Sequence, residues 1–153
     1  MPHTTSVGKH CVIWHFVGSV GLGEIANAMD RVFELEHVDD IRFTIFDARG
    51  VDRLAIELPE VERFAVSGYG AATQKRDMYL AFICKDPAAR RIINYYIIYS
   101  KMVRGPWVSR LCHTRAEALQ WLESELGTIE DGQLTEELYL PRFDAPTKDM
   151  APS

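Results

Sequence analysis

Residues 41–58 read IRFTIFDARGVDRLAIEL, and this stretch decides how the rest of the chain is organised. The run Ile41-Arg42-Phe43-Thr44-Ile45-Phe46 is apolar enough for a buried strand, and it stops at Asp47. Ala48, Arg49, Gly50 and Val51 then read as a turn, and Pro59 is a favourable first residue for a helix. A strand, a polar residue at its carboxyl end and a helix make one unit of a small α/β sheet domain. Ligands of open α/β sheets usually sit at those strand ends. Asp47 and Arg49 are therefore candidate site residues, a polar pair at the mouth of a cleft. Asp47 fits equally well as an acceptor of backbone N–H groups within a turn through Gly50.

Toward the amino terminus, a hairpin with its turn at Gly8-Lys9 leads into the apolar run 10–17 and places an antiparallel strand on an edge. Residues 18–23 read as a loop. Ile25, Ala28, Met29, Val32 and Phe33 follow at the spacing of an amphipathic helix, and Asp39-Asp40 breaks that pattern. Toward the carboxyl terminus, the helix from Pro59 buries Val61, Phe64, Ala65 and Tyr69 and is ended by Gly68 and Gly70. The continuous apolar run 78–84 suits a strand covered on both faces. Asp86-Pro87 supplies an N-cap and a first-turn proline for a helix reaching about residue 103, which Gly105-Pro106 stops. A last strand spans 107–112, and Thr114-Arg115-Ala116-Glu117 is a capping box for a helix with Ala118, Trp121 and Leu122 inward. The expected fold is α/β: a mixed, mostly parallel sheet of four or five strands with about four helices. Residues 1–126 form the domain. Residues 127–153 read as an acidic, largely irregular tail with one apolar patch at 138–143.

The 153 residues, 47% hydrophobic and 25% charged, suit one globular domain. Residues 123–153 hold eight acids against Arg142 and Lys148, a net −6, which leaves the remaining 122 residues at +1. A near-neutral body with an acidic tail lacks the basic face that nucleic acid requires. Cys11, Cys84 and Cys112 each lie in an apolar strand-like run, an odd count without CxxC spacing, so they read as core filler in a reducing cytoplasm. No signal peptide pattern opens the chain, and no apolar run reaches the length of a membrane span.

Few motifs carry chemistry. Gly18-Ser19-Val20-Gly21-Leu22-Gly23 has the order G-x-x-G-x-G, not the dinucleotide fingerprint, and no phosphate-loop lysine follows. His10 and His15 fall on opposite faces of one strand, as do Cys112 and His113. G-x-S-x-G and H-E-x-x-H are absent, so neither catalytic residues, metal nor cofactor is expected.

The helix over 86–103 is the most unusual surface candidate. Ile92, Ile93, Tyr95, Tyr96, Ile97, Ile98 and Tyr99 make it apolar nearly all round, so more than one side must be covered. A second subunit, the chain's own 138–143 patch, or an apolar ligand in a groove would each cover it, ranked in that order. Arg90 and Arg91 in its first turn oppose the helix dipole and hint at an anionic partner, although two solvated arginines remain the default.

These pieces, in this order, resemble the SpoIIAA-like branch of the STAS (sulfate transporter and anti-sigma antagonist) superfamily, also described as STAS/SEC14-like. The marks are the opening strand ending in Gly18, the turn Phe46-Asp47-Ala48-Arg49-Gly50-Val51, the proline-started helix, the strand Tyr79-Leu80-Ala81-Phe82-Ile83 running into Asp86-Pro87, and the closing segment 114–122 (TRAEALQWL). The resemblance spans roughly residues 8–122. Phosphorylatable members carry Asp-Ser-x-Gly at the start of the second helix. Ile56-Glu57-Leu58-Pro59-Glu60 stands there, so a serine phosphoswitch is not implied. Where the branch often shows Gly, Arg and an aromatic along the next helix, this chain has Arg91, Asn94 and Tyr96. The resemblance implies a non-enzymatic cytoplasmic regulatory or protein-interaction module, expected to be a homodimer. The alternative is a carrier or sensor of a small apolar or anionic, lipid-like ligand held between the 86–103 helix and the strand ends near Asp47 and His113. The candidate ligand- or partner-binding residues are Asp47, Arg49, Arg90, Arg91, Tyr95, Tyr96, Tyr99 and His113.

Overall fold

The structure is a computed structural model that describes residues 3–36, 38–71, 78–103 and 107–126. Among these residues five strands form one sheet: β1 (His3–Val7), β2 (Cys11–Gly21), β3 (Phe43–Ala55), β4 (Tyr79–Ile83) and β5 (Val108–Cys112), neighbours in that order. β1 pairs antiparallel with β2, and all other pairings are parallel. Four helices connect or follow them: α1 (Leu22–Phe33), α2 (Leu58–Ala71), α3 (Pro87–Met102) and α4 (Arg115–Leu126). The expected α/β class, the mostly parallel sheet and the antiparallel edge hairpin are all present.

Strand alternation sorts the core into two layers. Val12, Trp14, Phe16, Phe46, Leu80 and Phe82 face α1, α2 and α3, whereas Cys11, Ile13, Phe43, Ile45, Ala81, Ile83 and Cys112 face Ala118 and Leu122 of α4. On the first face the rings of Phe16 and Phe46 stack at 4.7 Å, Phe46 meets Phe82 at 5.3 Å, and Phe82 meets Tyr96 of α3 at 5.9 Å. An aromatic ladder thus ties β2 to α3. β4, central and short, is buried on both faces, which is why its five residues contain no charge.

The helix starts follow local chemistry. Asp86 accepts the Ala89 N–H at 2.9 Å, and Pro87 needs no donor at the first turn. Thr114 Oγ1 accepts the Glu117 N–H at 3.1 Å, while the Glu117 carboxylate reaches one residue further back than a capping box requires, to the His113 N–H at 2.8 Å.

Three expectations need correction. Residues 18–23 are not a loop: β2 runs to Gly21 and α1 starts at Leu22. Gly68 and Gly70 do not end α2, which continues to Ala71. Residues 47–51 are not a turn, because β3 continues through them to Ala55. The register explains why alternation hid this. His15 faces Asp47 but Val17 faces Gly50, and Gly18 faces Val51 but Ser19 faces Arg53, so β3 twice carries one more residue than β2. Each bulge stretches the inward spacing from two to three, placing Ala48, Val51 and Leu54 in the core. Two bulges in succession imitate a polar turn.

Gly50 sits where the first bulge presses β3 onto β2. A Cβ there would lie 2.8 Å from Val17 Cγ1 and 3.4 Å from the Phe16 carbonyl oxygen. Gly50→Ala should destabilise the fold by about 1–2 kcal/mol, and Val17→Ala in the same chain should return much of that loss. A denaturant-unfolding double-mutant cycle checks this; strict additivity would deny the close contact.

Candidate functional site

The parallel register aligns His15, Asp47, Ile83 and Cys112 across four strands, at the carboxyl ends of β4 and β5. Alternation puts all four on the face that α4 covers. Asp47 is 4% exposed and fully engaged. Arg49 donates its Nε to Oδ1 at 2.9 Å, its Nη2 to Oδ2 at 2.7 Å and its backbone N–H to Oδ1 at 3.1 Å. His15 Nδ1 lies 3.1 Å from Oδ2. Asp47 and Arg49 stand two residues apart on one strand, where the first bulge falls. Burial alone would push the Asp47 carboxyl up, but the bonds from Arg49 and His15 outweigh it and hold the group well below the usual carboxylate range. An ionised carboxylate only accepts, so the shared proton sits on His15 Nδ1, on a partly exposed ring. Asp47 is thus the centre of a clamp joining β2 to β3.

The other candidates separate from this clamp. Arg90 donates Nη1 to the Cys84 carbonyl at 2.8 Å and to the Cys112 carbonyl at 3.1 Å, fastening α3 to the ends of β4 and β5. Its awkward place in the first turn therefore serves two carbonyls, while Arg91 is exposed. His113 is exposed at the start of α4, with Nδ1 3.9 Å from Glu117 Oε1. Cys112 beside it is buried, and burial pushes its thiol up to about 11; Cys11 and Cys84 are raised for the same reason. None is poised as a thiolate. Among the described residues no three His, Cys, Asp or Glu side chains converge as metal ligands.

The tyrosines occupy the opposite layer. Tyr96 is buried against Phe64 and Phe82, and burial raises its hydroxyl pKa against the opposing bond to Ser100. Tyr95 and Tyr99 stack at 6.1 Å and are half-buried. The Tyr95 hydroxyl donates to the Glu62 carboxylate of α2, a bond that raises its pKa and joins the two helices. Beneath them an apolar cavity of about 50 Å³ lies between the sheet, α1, α2 and α3, with Phe46, Phe64, Ile92 and Tyr96 in its wall. The structure therefore groups Asp47 with Arg49 and Tyr95 with Tyr99, and sends Tyr96 into the core. It does not gather Asp47, His113 and α3 into one cleft. Glu62 and the carbonyl partners of Arg90 were not singled out in sequence, and His15 was weighed only as a pair with His10. His15 alone left a signal, since it shares the inward parity of Cys11 and Ile13.

No family model matches the chain, and no curated protein is significantly similar. Among solved structures the chain is similar to an uncharacterised protein of the DUF3478 family from Shewanella loihica PV-4. The two are 15% identical, with a TM-score of 0.45, over 78% of this chain and 94% of that one. That protein has a SpoIIAA-like fold. Among the described residues no helix is long and apolar enough to cross a membrane.

Two measurements test these assignments. Asp47→Asn should cost about 2 kcal/mol at neutral pH, because charge-assisted bonds are lost. A carboxylate depressed by folding stabilises above its unfolded pKa and loses that contribution as pH falls toward the folded value. The gap between wild type and Asp47→Asn should therefore be constant above about pH 5 and narrow below it. Chemical unfolding across that range reads the effect, and a gap that ignores acid would remove Asp47 from the clamp. Arg90→Met should destabilise by about 1–3 kcal/mol, since two carbonyls lose their donor; a fully stable variant would return Arg90 to the role of a solvated charge.

Proposed function

We propose that this chain is a regulatory or protein-interaction module of the SpoIIAA-like type, cytoplasmic and non-enzymatic, that pairs with a second copy through the outer face of α2 and α3. The observation that carries this reading is an apolar stripe that the fold leaves partly exposed. Tyr95, Ile98, Tyr99 and Met102 follow one another at i, i+3, i+4 and i+7, so they line one side of α3. Ile98 is 51% and Met102 70% exposed. Val66 of α2, 52% exposed, extends the stripe one turn beyond Glu62, the partner of Tyr95. Aromatic and methionine side chains have the composition of an interface core, and the Glu62 carboxylate beside them is taken up by the Tyr95 hydroxyl. A two-fold axis would lay this stripe against itself, with every contact made twice. Tyr96 faces the core, so its part in such an interface is to support the helix.

Without Ser or Thr in Ile56-Glu57-Leu58-Pro59-Glu60, this pairing is not set by a phosphoserine at the start of α2. A second reading, carriage of a small apolar or anionic, lipid-like ligand against α3, rests on the apolar cavity beneath Tyr96. At about 50 Å³ that cavity falls short of the several hundred Å³ typical of ligand pockets, so a lipid would require α2 and α3 to lift together.

Sedimentation velocity tests the proposal. Wild type should sediment as a dimer, and Ile98→Asp combined with Met102→Glu should weaken the dimer at least about tenfold while leaving thermal unfolding of the monomer unchanged. A wild type that stays monomeric at every concentration reached overturns the reading.

A further inference from the structure

β5 is the last strand of the sheet among the described residues, so one side of its backbone has no strand beside it. The ladder to β4 fixes which groups lie on that side. The Val108 N–H donates to the Met78 carbonyl at 3.1 Å, and the Cys112 carbonyl accepts the Cys84 N–H at 3.1 Å. In a parallel pair each residue turns its N–H and C=O the same way, and successive residues turn oppositely. Val108, Arg110 and Cys112 therefore face β4, while Ser109 and Leu111 present their N–H and C=O groups outward. The course of the chain leaves this edge open. α1, α2 and α3 share one layer and carry the chain one way across the sheet, but α4 covers the other layer. A right-handed return from there would put a further parallel strand where β4 already stands.

The side chains around the edge are basic. An open cleft of about 550 Å³ runs between β5 and α3, with Arg90, Arg91, Asn94, Ser109, Arg110 and Leu111 in its wall and no acid among its lining residues. Arg90 is held by the Cys84 and Cys112 carbonyls, whereas Arg91 and Arg110 are exposed. Parity puts Arg110 on the α4 layer with Cys112, and Arg91 belongs to α3 on the layer of Leu111. One exposed arginine thus flanks the edge on each layer. The charge of Arg110 also reaches Glu117 of α4, whose carboxylate already accepts the His113 N–H at 2.8 Å. A second copy laid edge to edge would set these cations against their own counterparts, which discourages self-pairing.

We propose that the outer edge of β5 takes up an extended acidic segment of a partner protein as one more strand. Backbone hydrogen bonds to Ser109 and Leu111 supply the attachment. Two successive acidic residues, which point to opposite faces, meet Arg110 on one layer and Arg91 on the other. This extends the protein-interaction reading to a second surface. It shares no residue with the stripe of α3, so either can fail alone.

The probe is the blocked peptide acetyl-Thr-Val-Glu-Glu-Val-Thr-amide, added to the full chain while backbone amide exchange is followed by NMR. Ser109 and Leu111 should exchange freely in the protein alone, and peptide at about four times its Kd should slow both about fivefold. A Lys-Lys version should bind at least about tenfold more weakly, and N-methylation throughout should abolish binding. Arg91→Glu combined with Arg110→Glu should reverse the preference between the two charges. Should that variant fail to fold, the exchange pattern and the N-methylated peptide still decide. Slow exchange of Ser109 and Leu111 in the protein alone would mean that a second copy or residues 127–153 already cover the edge, and overturns the proposal. It is equally overturned by a Glu-Glu peptide that leaves both amides unslowed or by equal affinity for the two charges. Binding that survives N-methylation also overturns it, and would make the cleft a site for small anions.

Discussion

The parallel pairing of β2 with β3 is the constraint on which the rest of the molecule depends. Both strands outlast β4 and β5, and both stay paired through two bulges at which the register shifts. A ladder interrupted in this way needs help from side chains, and it receives it at the first bulge. Gly50 lets the two backbones approach, and Asp47 binds Arg49 on its own strand and His15 on the neighbour. The same pairing delivers Trp14 and Phe46 to one layer and Ile13 and Ile45 to the other. Without that register neither helix layer would find its partner.

Much of this was legible in the residues themselves. Asp86-Pro87 marked the start of α3, the unbroken apolar run at 79–83 marked a strand covered on both sides, and Thr114 with Glu117 marked the start of α4. Each is a local signal, satisfied by neighbours in the chain. What escaped notice depends on distant partners. Residues 47–51 look like a turn because a bulge removes the period of two, and only the facing strand reveals the extra residue. Arg90 looks like a misplaced charge because its acceptors are carbonyls of Cys84 and Cys112, and backbone atoms leave no trace in side-chain identity. Of the candidate site residues, Tyr95 and Tyr99 of α3 do form a pair, and so do Asp47 and Arg49. The two groups lie on opposite layers, a separation fixed by strand parity rather than by any motif.

Surface and interior of α3 have distinct parts in this account. Its inward residues, Ile93, Tyr96 and Ile97, pack against the sheet, while its outward stripe stays partly exposed. The bond from Tyr95 to Glu62 makes α2 and α3 one unit. A partner that grips either helix therefore acts on both, and on the cavity roofed by them.

The strands lie side by side in the order in which the chain lays them down. Every connection between parallel strands consequently moves the same way across the sheet, and α1, α2 and α3 all fall on one layer. Doubly wound proteins reverse direction part-way, and the two connections that diverge there open a crevice for a ligand. This sheet never reverses and so has no such crevice at its strand ends. The carboxyl ends of its strands can be occupied by a structural clamp, and any cargo must enter sideways, between the helix layer and the sheet.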